Sequence, residues 1–337
     1  MFVEIEHTLS LAYDAYIRES FLELRMQPKT TADQTLQSFV LAVGPPTKIA
    51  RYRDWNGNVV HHFTIVHFHD RIEVVARSAV TTHSTAPALD SVTDGRPFPE
   101  APYPLLDFLA FDGPVRPGAA LRKFAQSVPA TATATLGEQV RACGRHIREH
   151  FTYKKNVTRY DSTTDDFLTV GAGVCQDFTH LMLGLLRLRQ IPCRYVSGYL
   201  HVAPRDGEAA QSHAWVEFYS PSSGWVPFDP THNREVDDHY VVVGHGRHYD
   251  DVPPTRASTA ATPTRRSAPR CAPRSPRRRT SRRCTRRWSR STCRSSRRSR
   301  SAAATGSSRP RRRSRPWSSN SSRRSSRRPL TPAPGRC

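Results

Sequence analysis

The fold of this chain is decided by a glycine turn that leads into an apolar helix with a cysteine at its start: Gly171-Ala172-Gly173-Val174-Cys175-Gln176-Asp177-Phe178-Thr179-His180-Leu181-Met182-Leu183-Gly184-Leu185-Leu186. Apolar side chains recur at helical spacing from Phe178 onward, which predicts a helix that buries one face. Cys175 stands at the start of this helix. Unpaired amide groups and the positive end of the helix dipole favour a thiolate there. The pattern therefore indicates a nucleophile rather than a small core residue.

A predicted β-hairpin further along the chain supplies partners for such a thiol. Two segments rich in aromatic and β-branched residues flank the turn Ser220–Gly224. A hairpin centred on Pro221 makes His213 and Asp229 direct cross-strand neighbours, with Cβ atoms about 5 Å apart. This pairing suits an imidazole that a carboxylate holds in one tautomer while its other nitrogen faces a thiol. We therefore predict one catalytic site made of Cys175, His213 and Asp229.

Four segments together carry a resemblance to a known family: Gly173-Val174-Cys175-Gln176-Asp177-Phe178, Ile191-Pro192-Cys193-Arg194-Tyr195-Val196-Ser197-Gly198-Tyr199, Ser212-His213-Ala214-Trp215 and Asp229-Pro230-Thr231. They closely resemble the transglutaminase-like superfamily in its bacterial form, and residues 1–82 resemble its β-rich N-terminal domain. The resemblance covers residues 1–255. It implies a papain-related α+β core in which Cys175 is the nucleophile, His213 the general base and acid, and Asp229 the orienting carboxylate.

The predicted fold class is α+β, in four parts. Short alternating runs over residues 1–83 predict a β-sandwich-like N-terminal domain. Residues 84–104 contain five prolines and few large apolar groups, which is typical of a linker. Residues 105–255 form the transglutaminase-like core, with the helix-start cysteine packed on an antiparallel sheet. Residues 256–337 form a disordered Arg/Ser tail.

Histidines crowd the N-terminal domain without forming a recognisable metal-ligand spacing. No carboxylate or cysteine completes such a spacing near them, so we expect a polar strand surface rather than a metal site. The histidines are His61, His62, His67 and His69.

Composition separates the tail from the rest of the chain. Of the 51 Lys and Arg residues, 27 are arginines within residues 256–337, which contain no Lys, Asp or Glu. Residues 1–255 therefore hold 24 basic and 29 acidic residues, a net charge of −5. This mild acidity excludes the body of the protein as a nucleic-acid binder, although the Arg tail can bind nucleic acid non-specifically. The tail has a single Leu and lacks Ile, Val, Phe, Tyr and Met, so it cannot bury a core.

Codon arithmetic gives this tail a second interpretation. Ala, Pro, Thr, Ser, Arg, Gly, Cys and Trp, which can all be coded with G or C at the second codon position, make up 80 of its 82 residues. A shift of one nucleotide in a GC-rich gene produces this pattern, because third codon positions become second positions. Gly-Val-Tyr-Arg-Gly-Asp, read one base later, can give Ala257-Ser258-Thr259-Ala260-Ala261-Thr262. We therefore expect an out-of-frame translation, with a genuine Arg/Ser tail as the alternative.

The family resemblance extends to the start of this tail. The segment from Gly246 to Pro253 resembles a family stretch that runs on into Gly-Val-Tyr-x-Gly and a closing strand. Loss of that strand predicts an unpaired sheet edge in the core domain. His248 stands where the family has Asp, and we expect only a local effect from this difference.

Several further properties are expected from the sequence. No run of 18 apolar residues occurs, and acidic residues interrupt the first 25, so we expect a cytoplasmic protein that does not enter the membrane. Cys143, Cys175 and Cys193 are the cysteines of residues 1–255, and their spacing predicts reduced thiols.

The expected activity is acyl transfer or hydrolysis at an amide of a protein or peptide, with no cofactor and no metal. The backbone N–H of Cys175 is a candidate oxyanion donor. Three alternatives remain open at this point: a cysteine peptidase or amidase without transferase activity, a catalytically silent binding member of the fold, and a nucleic-acid binder acting through the tail.

Overall fold

The computed structural model describes residues 1–95, 103–129, 134–201, 212–261 and 292–296. The strands of its first sheet are β1 (Phe2–Leu24), β2 (Gln34–Gly44), β3 (Ala50–Arg53), β4 (Val59–Ile65) and β5 (His69–Thr82), joined by the later strands β13 (Thr255–Ala261) and β14 (Thr292–Ser296). Their order is β2-β5-β1-β4-β3, and β13 and β14 also pair with β1. An irregularity between Ala12 and Ile17 divides β1. Its first part pairs with β5 and its second part with β4, so the sheet curls around one long strand.

Four helices and a second antiparallel sheet form the part of the chain that carries Cys175. The helices are α1 (Ala119–Ser127), α2 (Leu136–His150), α3 (Thr164–Val170) and α4 (Cys175–Leu188). The strands are β8 (Cys193–Leu200), β9 (Ser212–Ser220), β10 (Gly224–Asp229), β11 (Arg234–Glu235) and β12 (Tyr240–Gly246), with a short parallel pair β6 (Thr152–Tyr153) and β7 (Ala172–Gly173). Short 3₁₀-helices span Leu89–Ser91, Tyr103–Phe108 and Tyr249–Asp251. The sheet order is β11-β10-β9-β8-β12.

Helix α4 lies at the centre of this part. Every residue from Asp177 to Arg187 is buried, because β8 and β9 cover one side of the helix while α1, α2 and α3 pack around the others. The predicted α+β class, with the cysteine-bearing helix on an antiparallel sheet, is confirmed. Within the described residues, no helix is both long and apolar enough to cross a membrane.

The first sheet packs directly against the second. Val3, Ile5 and Val80 from β1 and β5 form a buried apolar cluster with Tyr199 and Val241 from β8 and β12. Because this contact lies at the start of β1, it holds the following residues of that strand beside α4 and β8. The N-terminal sheet is therefore positioned to contribute to the site.

The predicted linker over residues 84–104 is partly built into the core. Leu89 and Val92 are fully buried in the main apolar cluster. A Cβ at Gly137, in the first turn of α2, would lie 2.0 Å from the carbonyl oxygen of Leu89, so this close approach requires glycine. Two buried apolar residues are enough to anchor this proline-rich segment in the core. The composition of the segment does not reveal that it is anchored. Residues 96–102 lie outside the described part.

The first residues of the tail, which was predicted to be disordered from Arg256 onward, form a strand in the structure. Strand β13 pairs along β1 from Leu24 opposite Thr255 to Ile17 opposite Ala261. Sheet pairing uses backbone groups that any residue except proline can offer, so small side chains suffice. The strand therefore extends the first sheet beside β1, whereas the sequence predicted that the core domain loses a strand here and keeps an unpaired edge. Apart from residues 256–261 and 292–296, the tail lies outside the described residues.

Two of the four N-terminal histidines do not belong to a polar strand surface. His69 is 4% exposed, and its Nε2 lies 2.8 Å from the hydroxyl of Ser20. His61 is also buried and stacks on Phe39 with ring centroids 5.2 Å apart. These contacts come from other strands, so the alternation within one strand did not predict them.

Candidate active site

Polar contacts fix the chain where α4 begins. The carboxylate of Asp177 accepts hydrogen bonds from the backbone N–H of Val174 and from the hydroxyl of Thr158, both at 2.7 Å. Burial raises the pKa of Asp177, although both hydrogen bonds oppose this rise. A Cβ at Gly173 would come within 2.4 Å of the same carboxylate, so glycine is required there. Cys175 follows, partly buried, with a backbone N–H that has no partner within the helix.

His213 lies between Cys175 and Asp229. Its Nε2 donates a hydrogen bond to Asp229 Oδ2 at 2.8 Å, and Nδ1 remains for the hydrogen bond with Cys175. Burial by itself lowers the pKa of His213, but the hydrogen bonds with Asp229 and Cys175 raise it to about 10. Burial opposes ionisation of Asp229 too, yet its hydrogen bonds from His213 and His232 hold its pKa well below the usual range. The structure thus brings together all three side chains predicted from the sequence and places an imidazolium beside the sulfur.

The hairpin reaches this geometry through a register that differs from the predicted one. It is centred on Ser222 rather than on Pro221, because Gly224, with φ of +74°, closes a three-residue loop. His213 and Asp229 are consequently offset by two residues instead of lying directly opposite. An offset of two keeps both side chains on the same face of the sheet, and diagonal neighbours remain within reach of long side chains.

Two further side chains bind the same carboxylate. Asp229 Oδ2 also accepts hydrogen bonds from His232 Nδ1 and from the hydroxyl of Tyr240, each at 2.7 Å. Tyr240 in turn accepts a hydrogen bond from Arg234 Nε at 2.8 Å. Asp229 Oδ1 accepts the backbone N–H of Thr231 at 2.8 Å. This network holds the carboxylate ionised and in one orientation.

Neither His232 nor Tyr240 was predicted from the sequence as part of the site. His232 lies three residues after Asp229, just beyond the end of a strand. This short spacing could have indicated that its ring lies near the Asp229 carboxylate. Tyr240 had no local signal, since its contact with Asp229 depends on how β12 is placed in the sheet.

A cleft of about 310 Å³ lies beside Cys175. Tyr195 and Tyr249 line it on the side of the core, and His7 and Leu9 of β1 line it on the side of the N-terminal sheet. Burial lowers the pKa of His7 to about 4, so its ring is neutral at pH 7. The N-terminal sheet thus supplies part of the cleft wall, which the sequence did not predict.

Comparisons with known proteins agree with this fold. Residues 122–230 match the family described as the transglutaminase-like superfamily, and residues 3–81 match the bacterial transglutaminase-like N-terminal region. An uncharacterised protein of Mycobacterium leprae is 31% identical over 273 residues, which are 75% of this chain and 91% of that protein. A protein-glutamine gamma-glutamyltransferase of Pseudomonas aeruginosa is 32% identical over 88 residues, which are 24% of this chain and 13% of that protein.

A solved structure from Cytophaga hutchinsonii, described as a candidate cysteine protease, shares the fold. Its TM-score is 0.64 at 20% identity, covering 77% of this chain and 88% of that one. The chain therefore belongs to the transglutaminase-like superfamily and carries the N-terminal region of its bacterial members. Its core has the general fold of thiol enzymes.

Proposed function

We propose that this protein is a thiol enzyme that carries out acyl transfer or hydrolysis at an amide of a protein or peptide. The observation that carries the proposal is the position of His213, which is hydrogen-bonded to both Cys175 and Asp229 beside the cleft. The name of the Pseudomonas relative, a protein-glutamine gamma-glutamyltransferase, makes the glutamine carboxamide the first substrate group to test.

In the first half of the reaction, the Cys175 thiolate attacks the amide carbonyl carbon and forms a C–S bond. The carbonyl oxygen becomes an oxyanion, and the backbone N–H of Cys175 is placed to donate to it. The C–N bond then breaks, and the His213 imidazolium gives its proton to the departing amine or ammonia. Asp229 stabilises that imidazolium and holds the ring in position.

In the second half, water or a primary amine attacks the thioester. Neutral His213 takes a proton from the attacking group, the C–S bond breaks, and the Cys175 thiolate is restored. Hydrolysis and transfer differ only in which nucleophile reaches the thioester. The outcome therefore depends on how far the cleft excludes water.

The test is release of ammonia from glutamine-containing peptides, measured with and without an added primary amine. Cys175→Ala is expected to abolish turnover while circular dichroism and the unfolding midpoint stay unchanged. Cys193→Ala is the matched control, since Cys193 is fully buried and burial raises the pKa of its thiol to about 11. Unchanged turnover in a folded Cys175→Ala variant would overturn the proposal and leave a binding role for the fold.

We propose further that the residues from 257 onward derive from a shifted reading frame. The support is the composition of the tail together with the content of β13, which places only small side chains, Ala257 and Thr259, opposite the buried Leu22 and Ser20. Resequencing the gene tests this proposal directly. An intact frame across codon 257 would end it.

A further inference from the structure

Two histidines end α2, away from the cleft. His146 and His150 lie on one helix face with Glu149, because residues three and four apart are neighbours on a helix. The two imidazole centroids are 4.1 Å apart. One nitrogen of each ring and one carboxylate oxygen of Glu149 all lie within 4.8 Å of one another. None of the three is among the described residues that line the cleft beside Cys175.

Hydrogen bonds fix which nitrogen of each ring keeps its lone pair. His150 Nδ1 lies 2.8 Å from the carbonyl oxygen of His146; a carbonyl only accepts, so Nδ1 carries the hydrogen and Nε2 keeps the lone pair. The Ser127 hydroxyl donates to the Phe124 carbonyl at 2.8 Å. Its oxygen therefore accepts from His146 Nε2 at 2.9 Å, and Nδ1 of His146 keeps the lone pair. Histidines that bind metals are held in the same way, with the second nitrogen engaged by protein.

The surroundings favour a cation at this position. His150 is the last residue of α2, and the C-terminal end of a helix carries partial negative charge. The carboxylate of Glu149 lies beside both rings and supplies the acidic ligand of the group.

Packing also orients the two rings before any ion binds. The ring of Phe124 lies 4.9 Å from that of His146 and 5.6 Å from that of His150, measured between centroids. Phe124 and Ser127 belong to α1, so contacts from the end of α1 hold the rings at the end of α2 in place.

We propose that His146, Glu149 and His150 bind one divalent transition-metal ion. Zinc is the ion we assign, since imidazole and carboxylate ligands suit it and three protein ligands leave a position for water. The site differs from the His213, Asp229 and His232 group, whose ligand atoms are already hydrogen-bonded within the candidate active site.

The test is titration of the full-length chain with zinc chloride by isothermal calorimetry. His150→Ala removes an exposed ligand and is expected to lose one binding site per chain. His67→Ala, the matched control, removes an exposed histidine far from α2 in sequence and is expected to keep that site. Ser127→Ala removes the acceptor that fixes the His146 tautomer, so it is expected to weaken the site about 10- to 100-fold.

Zinc is also expected to raise the unfolding temperature of the unaltered chain more than that of His150→Ala, because an ion that binds only the folded state stabilises it. Circular dichroism checks that the variants are folded, and Glu149→Gln provides a second, isosteric ligand change. Equal stoichiometry and affinity for zinc in the unaltered chain, His150→Ala and Glu149→Gln would overturn the proposal. Turnover of amide substrates plays no part in this readout, so its outcome is independent of the proposed function.

Discussion

Replacing Asp229 with asparagine separates charge from shape in the candidate active site. Asp229→Asn keeps the size of the side chain and an oxygen that accepts hydrogen bonds, but it removes the negative charge 2.8 Å from His213 Nε2. We expect the pKa of His213 to fall. The prediction concerns the electrostatic role of one carboxylate, so it can be checked without knowing the substrate.

The magnitude follows from the environment of His213. Its pKa rises from 6.5 to about 10 against the effect of burial, and a rise of about 3.5 pH units corresponds to about 5 kcal/mol in favour of the imidazolium. Asp229 and Cys175 share this stabilisation. The hydrogen bond with Asp229 is the largest contribution that raises the pKa, so we expect its loss to remove about 2 kcal/mol or more. The pKa of His213 then falls to about 8.5 or below.

The assay is a pH titration of the ¹³C-labelled His213 ring by NMR, with the resonance assigned from a His213→Gln variant. In the unaltered protein, the ring is expected to remain an imidazolium from pH 6 to beyond pH 9. In Asp229→Asn, the midpoint is expected to lie at least about 1.5 pH units lower, as the energy above implies.

Asp237→Asn is the control, because Asp237 is an exposed carboxylate that accepts a hydrogen bond from His239 at 3.1 Å. This change is expected to leave the His213 titration in place. The same His213 midpoint in Asp229→Asn and in the unaltered protein would refute the assignment of Asp229 as the source of the raised pKa.

Three further predictions concern stability. The raised pKa of His213 stabilises the fold fully below about pH 6.5, and the lowered pKa of Asp229 does so above about pH 4. The difference in unfolding free energy between the unaltered chain and Asp229→Asn should therefore be largest from about pH 4 to 6.5 and decline toward pH 10. Urea titrations that show this difference growing toward pH 10 would contradict the prediction. Gly173→Ala places a Cβ 2.4 Å from the Asp177 carboxylate and should lower the free energy of unfolding by about 1.5–3 kcal/mol, because the carboxylate then loses the hydrogen bond that it accepts from the backbone N–H of Val174. Gly95→Ala is the control, since the space around its Cβ is open, and it should change the urea midpoint little. Equal effects of the two substitutions would count against this packing. Restoring the reading frame includes the change Thr259→Tyr at a half-buried position of β13, which should raise the free energy of unfolding by about 1–2 kcal/mol through apolar burial. If urea unfolding shows the restored chain to be no more stable than the present one, β13 gains nothing from larger side chains.

Local sequence patterns predicted the parts of the site that depend on near neighbours. Helical spacing from Phe178 to Leu186 identified α4 as a buried helix, and the glycine turn before Cys175 placed the thiol at its start. Turn residues between two aromatic-rich segments identified the β9–β10 hairpin, which holds His213 and Asp229. These signals work because helix periodicity, capping and turn preferences are set within a few residues of chain.

Other features depended on contacts between distant segments and were missed or misplaced. The register of the hairpin followed from the left-handed backbone at Gly224. The residues of the turn are compatible with more than one turn type, so the sequence did not determine this register. The proline-rich segment around Leu89 became part of the core because α2 receives it beside Gly137. Strand β13 joined the first sheet because β1 offered it a free edge of backbone groups.

The sequence by itself determined the α+β class, the buried helix with Cys175 at its start, and the hairpin that carries His213 and Asp229, since each of these rests on interactions within a short length of chain. Only the tertiary structure decided that His232 and Tyr240 share the Asp229 carboxylate and that His7 of the first strand lines the cleft. The physical reason is that such contacts join residues far apart in the chain, or depend on the geometry of a turn. They exist only once both sheets have packed around α4.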